Sequence, residues 1–226
     1  MPVPLLRSLL ALFASASIAQ VPPGAIEQSR YTGLFAAAAN GAAAAIMQLV
    51  AQGVRPDLRD DYQRTPLHIA AYRSQVDSMR ALVAAGADPN ALEHDRYDIV
   101  TIAAVSNDLA VLKAALALGC KATNVTSRYD GTALIAAAHL GHAEVVRELI
   151  RAGAPLNHVN NLGWTAVIEA IVLGDGGPRH LATLGALVDA GADVNRADRN
   201  GMRPLELAHR RGYLSMIRVL EQAGAR

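Results

Sequence analysis

The feature that most constrains this fold is a short motif that returns about every 33 residues. Its most complete copy is 65–71, Thr-Pro-Leu-His-Ile-Ala-Ala, where the proline suits a first helical residue and the threonine suits an N-cap. Successive copies are 33, 33, 34, 33 and 38 residues apart. This period indicates a repeat protein whose units stack on their neighbours. The first residue of each copy, called here the cap position, is Thr32, Thr65, Asp98, Thr132, Thr165 and Arg203.

A second landmark keeps the same period. A glycine follows each cap position by 21 residues, or by 26 in the fifth copy. The segments 86–90 (Gly-Ala-Asp-Pro-Asn), 141–146 (Gly-His-Ala-Glu-Val-Val) and 191–195 (Gly-Ala-Asp-Val-Asn) fall on this frame. Together with 65–71, they resemble ankyrin repeats over residues 31–226. The resemblance implies an all-α solenoid of about six helix-turn-helix repeats, linked by β-hairpin-like loops.

Two repeats depart from the common length. In the fourth, the glycine that precedes the cap lies one residue later than in its neighbours, which predicts a one-residue-longer loop at 128–130. In the fifth, the segment 174–180 (Gly-Asp-Gly-Gly-Pro-Arg-His) lengthens the turn between the helices by five residues. Because glycine and proline favour neither helix, we expect a projecting loop there.

The first 30 residues read differently from the repeats. Residues 1–19 run from a segment with Arg7 through an apolar stretch to Ser17-Ile18-Ala19, which is the order of a signal peptide. Residues 20–30 contain Pro-Pro-Gly and read as a linker. A periplasmic or secreted protein follows from this reading, with no membrane association after cleavage. A frayed apolar N-terminus and a cytoplasmic protein remain the alternative.

Neither composition nor motifs indicate a catalyst. The net charge of +1 gives no overall field that would attract nucleic acid, and the single cysteine, Cys120, excludes an internal disulfide. No catalytic, phosphate-binding or metal-ligand motif is present, so no cofactor or metal is predicted and an enzyme is a remote alternative. His68 and His142 hold positions that make structural hydrogen bonds in ankyrin repeats.

The resemblance places a partner protein on the hairpin tips and on the exposed ends of the first helices. These positions hold four of the six tyrosines and the only tryptophan. Tyrosine, tryptophan and arginine are enriched at binding hot spots, although polar hairpin tips are also common without a partner. The predicted partner-binding residues are Arg59, Asp61, Tyr62, Arg64, Tyr72, Arg73, His94, Tyr97, Arg128, Tyr129, Trp164, Arg199 and Met202.

The function indicated is therefore a monomeric, non-catalytic protein-protein interaction module in the cell envelope. Two narrower functions stay open: an immunity protein that neutralises a secreted toxic effector, and an accessory protein that protects an envelope enzyme. A cytoplasmic adaptor would follow if the N-terminus is not a signal. The fold class alone identifies no partner.

Overall fold

The computed structural model describes residues 22–226, so the predicted signal peptide at 1–19 lies outside the described residues. The described chain forms thirteen helices. A short first helix is followed by six pairs. In chain order they are α1 Ala25–Ser29, α2 Gly33–Ala39, α3 Ala43–Ala51, α4 Pro66–Tyr72, α5 Val76–Ala84, α6 Ile99–Val105, α7 Leu109–Ala117, α8 Ala133–Leu140, α9 Ala143–Arg151, α10 Ala166–Val172, α11 Pro178–Asp189, α12 Pro204–Arg211 and α13 Leu214–Gln222.

The pairs stack into two layers. The first helices of successive repeats, from α2 through α12, pack on one another in order, and the second helices, from α3 through α13, form a parallel layer behind them. Alanines such as Ala38, Ala70 and Ala103 are fully buried on the first helices, which lets neighbouring backbones approach closely. Leucine and isoleucine from both layers fill the space between them. The all-α ankyrin-type solenoid is thereby confirmed.

The cap residues start the helices as the sequence predicts. Thr132 and Thr165 each accept the amide N–H three residues ahead at 3.3 Å, and Asp98 does the same for Thr101 at 2.8 Å. At the second repeat, the Nδ1 atom of His68 lies 2.8 Å from the hydroxyl of Thr65 and 3.1 Å from its backbone nitrogen. These contacts satisfy amide groups that a helix start leaves free.

The loops between repeats turn like hairpins but hold no extended strands. Within the described chain, the β-type pairing is one isolated bridge, Thr126 with Gly131. The N–H of Thr126 donates to the carbonyl of Gly131 at 2.8 Å, a span of five residues. The corresponding bond in the second repeat, from Asp60 to Arg64 at 3.0 Å, spans four. The one-residue-longer loop of the fourth repeat is therefore confirmed.

The segment 174–180 does not project, contrary to the expectation from its glycines. Pro178 begins helix α11, which extends to twelve residues where the other second helices have nine. His180 lies in this helix and is buried, with Nε2 2.9 Å from the carbonyl of His139 and Nδ1 2.7 Å from Asp175. The prediction was wrong because a proline is well suited to open a helix, and the histidine then finds buried partners.

The predicted linker at 20–30 also contains structure. Helix α1 forms within it, and the N–H of Gly24 donates to the Glu27 carboxylate at 3.3 Å. Glu27 in turn pairs with Arg64 of the second repeat. This partner lies 37 residues away in sequence, so the Pro-Pro-Gly composition carried no sign of it.

Candidate partner-binding surface

One side-chain acceptor organises each hairpin. In the second repeat, Oδ1 of Asp60 accepts the backbone N–H groups of Tyr62 and Arg64, both at 2.9 Å. The same pattern recurs five residues before every cap position from the second repeat onward. The acceptors are Asp60, Glu93, Ser127, Asn160 and Asp198. Each tip is therefore fixed by its own side chain before any partner binds.

Backbone hydrogen bonds then join the tips of adjacent repeats. The N–H of His94 donates to the carbonyl of Tyr62 at 3.0 Å, and that of Asn161 donates to the carbonyl of Tyr129 at 2.8 Å. Between them, the N–H of Ser127 donates to Arg96 at 3.1 Å. The hairpins of repeats two to five consequently form one continuous edge.

The residue four before the cap position is exposed in every repeat from the second to the sixth. These tip residues are Asp61, His94, Arg128, Asn161 and Arg199. Tyr62 beside them is 45% exposed, which makes it one of five large hydrophobic residues that are exposed among residues 22–226. Arg59 is also exposed and reaches across repeats, donating to the carbonyl of Leu92 at 2.7 Å. Arg73 is exposed at the end of helix α4.

Arg64 and Tyr97 are not on this surface, which corrects the sequence-based placement. Both occupy the position directly before the cap, and they are 0% and 5% exposed. Across the six repeats this position is buried or half-buried, because it forms the inner arm of the hairpin and points between neighbouring repeats. Trp164 and Met202 share the position and are half-buried.

The buried guanidinium of Arg64 is enclosed by polar partners. It pairs with the carboxylates of Asp60 and Glu27, lies 3.2 Å from the hydroxyl of Tyr31, and stacks with its Cζ 4.6 Å from the ring centroid of Tyr62. Burial lowers the pKa of Arg64 and raises that of Asp60. This arrangement is structural, since a buried arginine persists only when its charge is compensated.

Two predicted tyrosines are only partly exposed, and Arg128 is held in place by an ion pair. Tyr72 and Tyr129 are half-buried, so each offers only part of its ring. Burial raises the pKa of the Tyr72 hydroxyl. Arg128 is held against Asp95 by two hydrogen bonds, one of them from Nε at 2.8 Å, and this contact raises the pKa of its guanidinium. Its position on the tip is therefore fixed.

The histidines of the repeat motif serve the fold. His68 is fully buried, and burial lowers its pKa to about 4, so the ring is neutral at neutral pH. Its Nε2 lies 3.3 Å from the carbonyl of Tyr97 in the next repeat. His142 places Nδ1 2.9 Å from the carbonyl of Ala104. Across residues 22–226, no cluster of three or more histidine, cysteine or acidic side chains could hold a metal ion.

A polar cluster that the sequence reasoning missed lies on the same side of the molecule. Glu169 on helix α10 is buried, with Oε2 3.1 Å from Nδ1 of His139 and Oε1 2.9 Å from the side-chain amide of Asn160. A cavity of about 40 Å³ adjoins these groups and is also lined by Tyr97 and Tyr129. A sequence signal existed, because the position four after the cap is apolar in the other repeats.

Comparison with known proteins agrees with this architecture. A family model described as ankyrin repeats (3 copies) matches residues 5–93 and 100–198, and one described as ankyrin repeats (many copies) matches 178–221. The chain belongs to the ankyrin-repeat family. Ankyrin repeats generally bind other proteins, and they are typically non-catalytic.

Individual members are similar over 41% to 85% of this ankyrin-repeat chain. A putative ankyrin repeat protein, YahD, from Escherichia coli (strain K12) is 33% identical over 78% of this chain and 88% of its own. The crystal structure of an ankyrin repeat domain from Acinetobacter baumannii AYE is 40% identical, with a TM-score of 0.79 over 85% of this chain and 98% of that one. Cyclin-dependent kinase 4 inhibitor B from Rattus norvegicus is 38% identical, over 41% of this chain and 68% of its own.

Within residues 22–226, none of the helices combines the length and the hydropathy that a membrane span requires. The longest, α11, has twelve residues, whereas a span needs about 20.

Proposed function

We propose that this chain is a non-catalytic, monomeric binding protein that captures another protein with its hairpin edge and the adjoining ends of its first helices. The surface consists of the exposed tip residues together with Arg59, Tyr62 and Arg73. Half-buried Tyr72, Tyr129, Trp164 and Met202 lie beside it and add apolar contact area. Arg64 and Tyr97 support the surface from below.

The observation that carries this proposal is that the tips are already ordered. Each tip is held by a side-chain acceptor that bonds two of its backbone N–H groups, and neighbouring tips are joined through the backbone at Tyr62, Arg96 and Tyr129. A surface fixed before binding loses little conformational freedom when a partner docks, which favours affinity. Tyr62 supplies an exposed aromatic ring on such a fixed tip, and exposed aromatic residues in fixed positions are typical hot spots.

Two more specific functions would use the same binding surface. The relative named cyclin-dependent kinase 4 inhibitor B is, by its name, an inhibitor of an enzyme. By analogy, this chain would neutralise a toxic effector, as an immunity protein does. In the second version it would protect an envelope enzyme without inhibiting it. Activity of the captured partner, measured with and without this protein, separates the two.

We further propose that the protein is exported to the periplasm or secreted. The support is the order of charge, apolar stretch and small residues at 1–19. Mass spectrometry of the mature N-terminus after cell fractionation tests this proposal. A chain that begins after Ala19 in the envelope fraction supports export. An intact Met1 in the cytoplasmic fraction contradicts it and favours the adaptor.

The binding surface is tested by cross-linking in cells followed by reconstitution with the purified partner. We expect the double variant Tyr62→Ala and Trp164→Ala to lose binding by at least about tenfold, since each truncation of a hot-spot aromatic costs 1 kcal/mol or more by rough expectation. Binding is measured by calorimetry with both proteins purified. Thermal unfolding of the variant is measured in parallel.

A matched control truncates two apolar side chains elsewhere. Met47 and Leu214 are 48% and 67% exposed, and they lie on second helices away from the hairpin edge. The double variant Met47→Ala and Leu214→Ala should bind the partner as the wild type does. Equal loss in both double variants would contradict the proposed surface. A partner that binds the wild type and both variants alike would place the site elsewhere.

A further inference from the structure

Glu169 is a carboxylate at a position that is otherwise apolar. Four residues after the cap, the other five repeats carry only small or aliphatic side chains. They are Ala36, Ile69, Ile102, Ala136 and Leu207. Solvent reaches only 4% of Glu169. Burying an ionised carboxylate costs several kcal/mol by rough estimate unless polar groups compensate it. The fold itself does not require this charge, since five repeats form the same helix without one.

Two neighbours orient the Glu169 carboxylate and leave part of its hydrogen-bond acceptor capacity unused. His139 from the fourth repeat contacts Oε2, and the side-chain amide of Asn160 donates to Oε1. A carboxylate has about four lone-pair directions, so acceptor capacity remains beyond these two contacts. Within the described chain, the ion pair of Glu169 is with His139, which carries charge only when protonated.

The adjoining cavity has walls that suit a cation. Tyr97 and Tyr129 are among its lining residues, and an aromatic ring whose face borders such a cavity attracts a cation. The hydroxyl groups of Thr101 and Thr126 lie 2.9 Å apart on the same lining. The nearby guanidinium groups are engaged elsewhere, since Arg128 pairs with Asp95 and Arg96 pairs with Asp130 at 2.8 Å.

We propose that this cavity receives the ammonium group of a lysine side chain from the partner protein, with Glu169 as its counter-ion. The inference rests on the proposed function, because it names the chemistry of one contact on the same surface. The cavity volume of about 40 Å³ corresponds to roughly three water-sized groups, which matches the last three atoms of a lysine side chain. A guanidinium group places four heavy atoms in one plane and needs more room than three water-sized groups.

The proposal is tested first with a small probe and no partner. The isotope-labelled full chain is titrated with Nα-acetyl-lysine amide, and NMR follows the His139 ring and the Asn160 side-chain amide. We expect saturable shifts at both groups. Nα-acetyl-norleucine amide, which lacks the charge, should leave them unchanged, and the arginine analogue should bind more weakly. Equal shifts with norleucine, or tighter binding of the arginine analogue, would overturn the assignment of a lysine ammonium.

Two variants test the residues themselves. Glu169→Gln keeps the shape and removes the charge, so the affinity for the lysine probe should fall at least about tenfold. Glu144→Gln, which neutralises an exposed acid on α9, should leave it unchanged. Should Glu169→Gln fail to fold, Ala136→Leu fills the cavity and leaves the contacts of Glu169 in place. Undiminished probe binding in a folded variant of either kind would overturn the proposal.

The probe and the partner give separable answers. If the partner binds the wild type but the lysine probe does not bind, the lysine inference fails while the proposed function stands. If the probe binds in the cavity but no partner is captured, the proposed function loses its support while the cation site remains. Each lysine of a captured partner is then replaced with methionine in turn. One of these replacements should lower the affinity of the partner as much as Glu169→Gln does.

Discussion

The Nε–H of Arg64 donates to the carboxylate of Asp60 at 2.8 Å, and solvent reaches none of the arginine side chain. The same carboxylate accepts two backbone N–H groups of the hairpin through its other oxygen. One acid thus shapes the tip that displays Tyr62 and anchors the arginine beneath it. Helix α1 completes the enclosure through Glu27. The hairpin of the second repeat and helix α1 are therefore stabilised by a single cluster of charges.

Replacing Arg64 with alanine should destabilise the protein strongly. The change leaves Asp60 and Glu27 without their cation, and breaking a buried ion pair from one side costs about 3 kcal/mol. Urea unfolding measures the loss in free energy of unfolding. Arg80→Ala serves as the control, because the Arg80–Asp77 pair is exposed and worth less than about 1 kcal/mol. Equal losses in the two variants would contradict a structural role for Arg64.

Stability should fall as the pH drops from about 6.5 towards 4, in part through His68. Its pKa is about 4 in the folded protein and near 6.5 when unfolded, so the unfolded chain binds the proton first. Folding therefore loses stability across that window, by up to about 3 kcal/mol for this group. Burial also lowers the pKa of His142, which acts in the same direction.

The pH dependence is measured by urea unfolding at intervals between about pH 7.5 and 4.5. His68→Gln lacks the titrating ring, so its stability should be lower at neutral pH and should change less steeply below pH 6.5. His94 is exposed on a tip, and His94→Gln serves as the matched control for the substitution itself. A slope that His68→Gln leaves unaltered would show that other groups carry the acid sensitivity.

Cys120 should be unreactive in the folded protein. The residue is 6% exposed, and burial raises the pKa of its thiol to about 12, so almost no thiolate forms at neutral pH. A coloured thiol reagent should react only as the chain unfolds in urea, with a midpoint that matches the loss of helix. Rapid reaction of the native protein would indicate local opening of the turn between the third and fourth repeats.

Two glycines of the fifth repeat should respond to alanine in opposite ways. A Cβ atom at Gly174 would lie 2.1 Å from the carbonyl oxygen of Ala170 and 2.8 Å from the ring of His180, so Gly174→Ala should cost about 2 kcal/mol or more. Gly185 lies inside helix α11 with nothing within 4 Å of the added atom. Gly185→Ala should therefore stabilise the protein by about 0.5–1 kcal/mol. Thermal unfolding of both variants checks the contrast.

Several features of the fold were predictable because they depend on local sequence. The cap at Asp98 and the longer loop before Thr132 follow from residues that contact one another within a few positions. The exposure of Asp61 and the equivalent tip residues could be predicted for the same reason, because the tip of a hairpin lies away from the packed helices. The packing of segment 174–180 against the protein was not predicted, because the contacts of Gly174 and His180 form only in the tertiary structure.

The sequence by itself determined the period, the helix pairs and the exposed tips, because each depends on short-range backbone preferences that repeat along the chain. Only the tertiary structure decided which side chains lie between repeats. Arg64 with Glu27, and Glu169 with His139, join residues about 30 to 37 positions apart. Such contacts depend on how one repeat stacks on the next, and the burial that gives Arg64 and Tyr97 their supporting place exists only after stacking.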